Sequence, residues 1–272
     1  MSDYKPPRVN RVKNTDGRAL LVAGVTVQVS SPEVVEMCGA AGYDFVWIDA
    51  EHGSFELETA VQMFRAADVF GMTPLFRVPS HDPSLIMRAL DAGAMGVIVP
   101  NVSTRQQAQA VVSAARYKWG GNGGTRGACP GTRATNYQTS DWSGFANWSN
   151  SNVTVWALIE TIAGVNNIDE ILEVEGIDAI ALGPFDLAHE MGFPGQVQHP
   201  EVTAALGRVV EKAQQKGVDV VASLFSESAS GMAAERAHWF AQGVRIFSVG
   251  SDRGLVARAF RERAAAARDV SL

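Results

Sequence analysis

Two apolar runs in the second half of the chain each end at a carboxylate. Residues 154–160 read TVWALIE and close on Glu160, and residues 178–186 read DAIALGPFD, with Gly183, Pro184 and Phe185 leading into Asp186. A buried strand excludes ionised groups unless they are paired or coordinate a metal. A carboxylate at the end of each of two strands is the donor pattern of a hard cation held at one rim of a sheet. Taken singly, each acid could instead cap the helix that follows.

Other reactive side chains fall at similar places. The run FVWID (45–49) ends in Asp49, with Glu51 and His52 just beyond it, and TPLFR (73–77) ends in Arg77. An arginine closing an apolar strand must meet an anion. That anion is either an acid on the same rim or a substrate oxygen, where Arg77 would stabilise an oxyanion. His52 lies in a glycine-flanked turn and suits a general base, with Asp49 three residues earlier to orient it. The five lysines are Lys5, Lys13, Lys118, Lys212 and Lys216, and none falls at a strand end. A ketone is activated for carbon–carbon chemistry by a Schiff-base lysine or by a Lewis-acid metal. The lysine-free rim leaves the metal, with Glu160 and Asp186 as ligands. Two carboxylates with positions left for water or substrate suit Mg²⁺ or Mn²⁺ rather than zinc.

Eight strand–helix units position these residues. Strands are expected at 19–27, 45–49, 73–77, 96–100, 154–160, 178–182, 218–223 and 244–249. Helices are expected at 31–41, 56–70, 82–91, 104–116, 163–174, from about 200, from about 227, and at 252–270. Short apolar strands alternating with helices predict parallel pairing with both faces covered, and eight units predict a (β/α)₈ TIM barrel. A doubly wound open sheet fits less well, because the glycine-rich run at 120–127 follows a helix rather than a strand. Residues 1–18 read as a polar arm, 19–272 as a single barrel domain, and 117–152, rich in Gly, Asn, Ser, Thr and Trp, as a long loop.

Bulk properties agree. The 272 residues are 46% hydrophobic and 19% charged, enough for a large core, and the net charge of −6 argues against nucleic acid or an anionic membrane as partner. No apolar run reaches transmembrane length and the N-terminus is polar, so a cytoplasmic location is expected, with Cys38 and Cys129 reduced.

In order and spacing, YDFVWIDAEHG, LFRVP, RALDAGAMGVIVPNV, GTRG, LIET, GPFDLAHEMG and QHPEV resemble the HpcH/HpaI-type class II pyruvate aldolases, over about residues 20–260. The resemblance implies a barrel assembled as a hexamer of swapped dimers, the last helix being exchanged between subunits. It implies that Glu160 and Asp186 hold a divalent metal, with Co²⁺ a third candidate, and that the metal chelates the carboxylate and ketone of pyruvate. His52 matches the acid–base histidine, Arg77 the arginine beside the enolate, and Asp49 an aspartate of the histidine loop. Asp91 matches an aspartate that supports the histidine; it falls at the opposite end of its own barrel, so it would act across subunits. Glu51 would order metal-bound water. Two positions depart from the pattern: Leu158 stands where relatives carry a substrate-touching glutamine, and Phe185 where they carry a small residue. With Gly183 and Pro184 these are the expected substrate contacts. The residues 128–133 (ACPGTR) are also unusual. The expected activity is reversible cleavage of a 4-hydroxy-2-oxoacid to pyruvate and an aldehyde. Oxaloacetate decarboxylation, macrophomate-synthase-like enolate chemistry and a non-catalytic barrel are the alternatives.

Overall fold

Each short apolar run finds its hydrogen-bond partners in the next one along the chain. In a computed structural model, which describes residues 8–13, 21–119, 123–137 and 139–269, eight parallel strands close into a barrel in sequence order. They are β1 (Val22–Val27), β2 (Phe45–Asp49), β3 (Thr73–Arg77), β4 (Gly96–Val99), β5 (Thr154–Ile159), β6 (Ala179–Leu182), β7 (Asp219–Leu224) and β8 (Ile246–Ser251). The ring closes where β1 pairs with β8, Val22 opposite Ile246, with a register shift between Gly24 and Thr26. This is the (β/α)₈ TIM barrel expected from the strand rhythm.

Around it lie α1 (Pro32–Ala40), α2 (Leu57–Val69), α3 (Pro83–Asp91), α4 (Arg105–Ala115), α5 (Trp142–Asn152), α6 (Ile162–Asn166), α7 (Ile168–Leu172), α8 (Pro184–Glu190), α9 (Pro200–Gln215), α10 (Ala229–Ala241) and α11 (Asp252–Arg268). Their starts follow local chemistry. Ser31 and Asp82 cap helices with proline in the first turn, and Thr104 with Gln107 forms a capping box.

Three differences from the sequence reading have local causes. The stretch 117–152 holds α5 and a 3₁₀ turn at Arg133–Thr135. Its α5 turns Phe145 and Ala146 onto Tyr117, flanked by Trp142 and Trp148, so aromatic burial organises a segment whose polar composition hides any period. The helix expected at 163–174 is two short helices that meet at Asn167. The stretch after β6 folds at once into α8, started by Pro184. Part of the expected N-terminal arm, Lys5 with it, lies outside the described residues.

Strand parity sets up the site. Along β5, Val155, Ala157 and Ile159 face the helical layer, while Trp156 and Leu158 fill the barrel interior with Phe45, Trp47, Leu75, Ile98, Ala181 and Ile246. Trp156 meets Phe45 and Trp47 edge to face at 5.6 and 6.1 Å. The inward series then continues past each apolar layer to a polar residue: Phe45–Trp47–Asp49, Leu75–Arg77 and Trp156–Leu158–Glu160. Asp49 and Arg77 sit opposite each other in register. The period of two thus stacks a charged layer on an apolar plug.

Trp156 is 1% exposed and anchors that plug. Trp156→Ala is expected to destabilise the chain by about 3–5 kcal/mol. The check is a urea midpoint shift at unchanged slope. A loss below about 1 kcal/mol would mean the interior closes over the void.

Candidate functional site

The rim is built on one buried ion pair. Asp49 is wholly buried, and Arg77 grips it with two hydrogen bonds, Nε to Oδ1 at 2.7 Å and Nη2 to Oδ2 at 2.5 Å. Gln28, just past β1, donates Nε2–H to Oδ2 at 2.7 Å, and the backbone amides of Glu51 and His52 donate to Oδ1 at 3.1 and 3.2 Å. Burial raises the Asp49 carboxyl, but these donors outweigh it and hold the group below its usual range. Asp49 therefore positions His52 through the backbone of its turn rather than through the imidazole.

The imidazole faces Glu51 instead, with Nε2 3.7 Å from Oε2, and is more than half exposed at the barrel mouth. Glu51 Oε2 is also 2.9 Å from Arg77 Nη1. Burial pushes the Glu51 carboxyl up, Arg77 and His52 opposing, with Asp49 and Asp186 adding to the rise. Burial likewise depresses Arg77, but the Asp49 bonds and the Glu51 and Glu160 charges hold it above its ordinary value. Its guanidinium carbon lies 5.5 Å over the Trp47 ring. Both sequence readings of Arg77 thus stay open: it is salt-bridged to rim acids, and it faces the mouth.

Glu160 is 4% exposed, one step beyond the end of β5. It does not cap the helix after it; Thr161 does, accepting from the Gly164 amide at 2.9 Å. Glu160 Oε1 accepts the Asn101 amide at 2.7 Å, and Asn101 offers it from a left-handed conformation, φ 53°. Gly183 packs against the other side. A methyl group on it would lie 2.4 Å from Glu160 Cβ and 2.8 Å from Oε2, so only glycine leaves room for this carboxylate. Burial pushes Glu160 up to about 7, the Asn101 amide opposing, with Asp186 and Glu51 adding repulsion. Asp186 occupies the first turn of α8 and is exposed; no side chain caps that helix.

Four carboxylates, Asp49, Glu51, Glu160 and Asp186, therefore influence one another around Arg77. Buried Glu160, raised first by burial and then by the charges of Asp186 and Glu51 with Arg77 opposing, could take a divalent cation. Among the described residues no three of His, Cys, Asp and Glu converge on one point. Glu160 and Asp186 could together offer two carboxylates to a hard cation, with further positions left for water or substrate.

The other expected residues divide. Pro184 is buried and Phe185 is 60% exposed beside Asp186. Leu158, 2% exposed, lies one layer beneath Glu160 as floor. Asp91 ends α3 at the opposite face of the barrel, where Arg126 Nη2 binds it at 2.6 Å. Sequence reasoning missed Gln28, which strand parity would have found two places beyond Thr26. It also missed Asp252 and Arg253. Asp252 accepts the Gln28 and Val29 amides, both at 2.9 Å. Arg253 donates to the carbonyls of His52 and Gln28 at 3.0 Å and to Ser54 Oγ at 3.1 Å. Nothing in the sequence marks Arg253, one arginine on a helix rich in them.

Comparison with known proteins bears on the family and the fold. Residues 23–259 match the family model described as HpcH/HpaI aldolase/citrate lyase. The chain is 33% identical over 228 residues to a 5-keto-4-deoxy-D-glucarate aldolase of Shigella dysenteriae, covering 84% of each chain. It is 34% identical over 197 residues to a 2-dehydro-3,6-dideoxy-6-sulfogluconate aldolase of Pseudomonas putida, covering 72% of this chain and 75% of that one. A solved HpcH/HpaI aldolase/citrate lyase family protein from Burkholderia cenocepacia superposes with a TM-score of 0.85 at 30% identity, covering 95% and 98%.

The Glu160 shift carries a stability consequence. Its ordinary value is 4.5 and its folded value about 7. Between the two, the folded chain holds a proton that the unfolded chain has released, so this group makes stability fall as pH climbs through that window. The loss is at most ~3 kcal/mol. With divalent metal removed by chelation, wild type should lose more stability than Glu160→Gln between pH 5 and pH 8. Urea midpoints of the two proteins measure it. Parallel pH dependences would show that burying Glu160 ionised has no such cost.

Proposed function

We propose that this chain, which belongs to the HpcH/HpaI aldolase/citrate lyase family, is a divalent-metal-dependent aldolase that reversibly cleaves a 4-hydroxy-2-oxoacid to pyruvate and an aldehyde. Its aldolase relatives make it a carbon–carbon lyase. The observation that carries the finer reading is Glu160, a carboxylate buried against Gly183 and raised to about 7 with Asp186 close by.

Glu160 and Asp186 would hold Mg²⁺ or Mn²⁺, with Co²⁺ as a substitute. A divalent cation there supplies Lewis-acid polarisation of the substrate ketone. Arg77, held charged by Asp49 and Glu51, keeps one N–H on each terminal nitrogen for a substrate oxygen and stabilises the negative charge that grows as the C3–C4 bond breaks. His52 takes the proton of the C4 hydroxyl, so that the departing carbon leaves as an aldehyde. Glu51 lies beside His52, its Oε2 3.7 Å from the imidazole Nε2. Asp49 acts as a positioning residue for both. Leu158 closes the floor without a polar group, and Phe185 presents an aromatic face at the mouth; together they favour a less polar substrate end than a glutamine floor would.

Two surface features support a homo-oligomer. In α10 no residue is buried and in α11 only Asp252 is, while Val256 and Phe260 of α11 are 42% and 71% exposed. No helix among the described residues is long and apolar enough to cross a membrane.

Chelation with EDTA should abolish release of pyruvate from 4-hydroxy-2-oxoacids, and Mg²⁺, Mn²⁺ or Co²⁺ should restore it; turnover that survives exhaustive chelation removes the metal from the mechanism. Oxaloacetate assayed alongside tests the decarboxylase alternative, which predicts the higher kcat/KM on oxaloacetate. His52→Ala should lower kcat by about 10²–10⁴, measured by coupled pyruvate detection. A fall of less than about threefold, far below the range for a general base, would take His52 out of that role.

A further inference from the structure

The end of the barrel opposite the rim holds a cationic cavity of about 650 Å³, lined among others by Arg8, Arg11, Arg133, Asp68 and Tyr137. Met72 and Met95, which precede β3 and β4, form part of its wall and fix it to the strands' N-terminal face. Among the described residues its charges do not balance. Arg8 Nε lies 3.4 Å from Asp68 Oδ2, and Arg133 Nη2 bonds the same oxygen. Two guanidiniums therefore share one carboxylate oxygen, although their side chains are only 14% and 13% exposed.

The approach of the two cations is built into the backbone. Arg8 Nη1 donates to the Gly93 carbonyl at 2.7 Å and Arg133 Nη1 to the Ala92 carbonyl at 3.5 Å. Gly93 has φ +107°, and a Cβ there would lie 2.1 Å from Arg133 Nη1 and 2.9 Å from Arg8 Nη1. Glycine is what lets both guanidiniums pack on the end of α3. Burial depresses Arg8, Asp68 opposes it, and the Arg133 charge depresses it further. Two guanidiniums carry ten N–H donors, and among the described residues the contacts above, with Asp68, use four of them. Half-buried cations in excess of their counter-ions are costly unless an anion completes the set.

A neighbouring cavity shows that this is not general to the face. It measures about 630 Å³ and contains Lys13 and Arg116, but Asp178, Glu173 and Glu175 line it as well. There the acids outnumber the bases. The chain as a whole is acidic, at −6, so a local cationic excess in a concave site stands against the background.

We propose that the Arg8–Arg133 cavity is a second binding site, distinct from the rim, for a small dianion bearing a carboxylate or phosphate group. The fork of Arg133 and the adjoining guanidinium of Arg8 would take the two charges, as planar guanidiniums do with such oxyanions. The exposed Tyr137 would cover the outer side. The site requires nothing of the aldolase reading, since no rim residue takes part.

Isothermal titration of the full chain tests it, at fixed ionic strength after chelation, with inorganic phosphate in one arm and malonate in the other. Saturable binding of either, near one per chain, is expected. Arg133→Gln and Arg8→Gln should each weaken it at least tenfold, and Arg77→Gln should leave it unchanged. Arg133→Lys, which keeps the charge but loses the fork, should bind more tightly than Arg133→Gln and more weakly than wild type, and an unchanged circular dichroism spectrum guards against misfolding of the glutamine variants. Phosphate binding alone assigns a phosphoryl ligand, and malonate alone a carboxylate. The proposal is overturned if neither anion binds, if both glutamine variants bind as wild type, or if Arg77→Gln, with its circular dichroism spectrum unchanged, abolishes binding and so places the ion at the rim.

Discussion

The site depends on the bidentate pair between Asp49 and Arg77. A carboxylate with no exposure at all, above an apolar plug, is stable only because five donors converge on it. Those donors come from the ends of β1 and β3 and from the turn after β2. One buried charge thereby fixes the arginine's plane, the path of the histidine turn and the end of the first strand. Removing either partner would leave an unpaired charge in a dry place, so the pair constrains its surroundings more strongly than any single apolar contact at the rim.

Beside that neutralised pair lies a carboxylate kept in the opposite condition. Glu160 has one backbone donor, a glycine at its flank and acids for neighbours, and its affinity for a proton rises accordingly. The rim thus holds two acids with opposed electrostatic fates. Asp49 carries a full set of donors, and Glu160, buried beside Asp186 and Glu51, has a single backbone donor. Such a separation of roles between neighbouring carboxylates is how one environment both organises and binds.

Much of this was legible in the residues. Short apolar runs ending in Asp49, Arg77 and Glu160 announced both the barrel and the rim, because strand parity leaves a last inward position that core packing does not demand. Asp91 was correctly placed at the far face. What stayed hidden has two causes. The helix α5 is held by aromatic contacts between Tyr117 and Phe145, whose partners are 28 residues apart, so no local period betrays it. Gln28 and Arg253 act through hydrogen bonds to groups brought near by barrel closure, and a polar side chain carries no mark of a distant partner. The cationic cavity belongs to the second kind: Arg8, Asp68, Gly93 and Arg133 meet only in three dimensions.

The clasp made by Asp252 and Arg253 sets an order on assembly. Its bonds to Gln28, Val29, His52 and Ser54 span 199 to 225 residues of sequence. A ribosome releases the histidine turn early and the residues that hold it last. Until β8 pairs with β1, the histidine turn has its bonds to Asp49 but lacks those from Arg253. Closure of the barrel and the final bracing of the histidine turn are then a single late event, and a partly synthesised barrel carries unpaired strands.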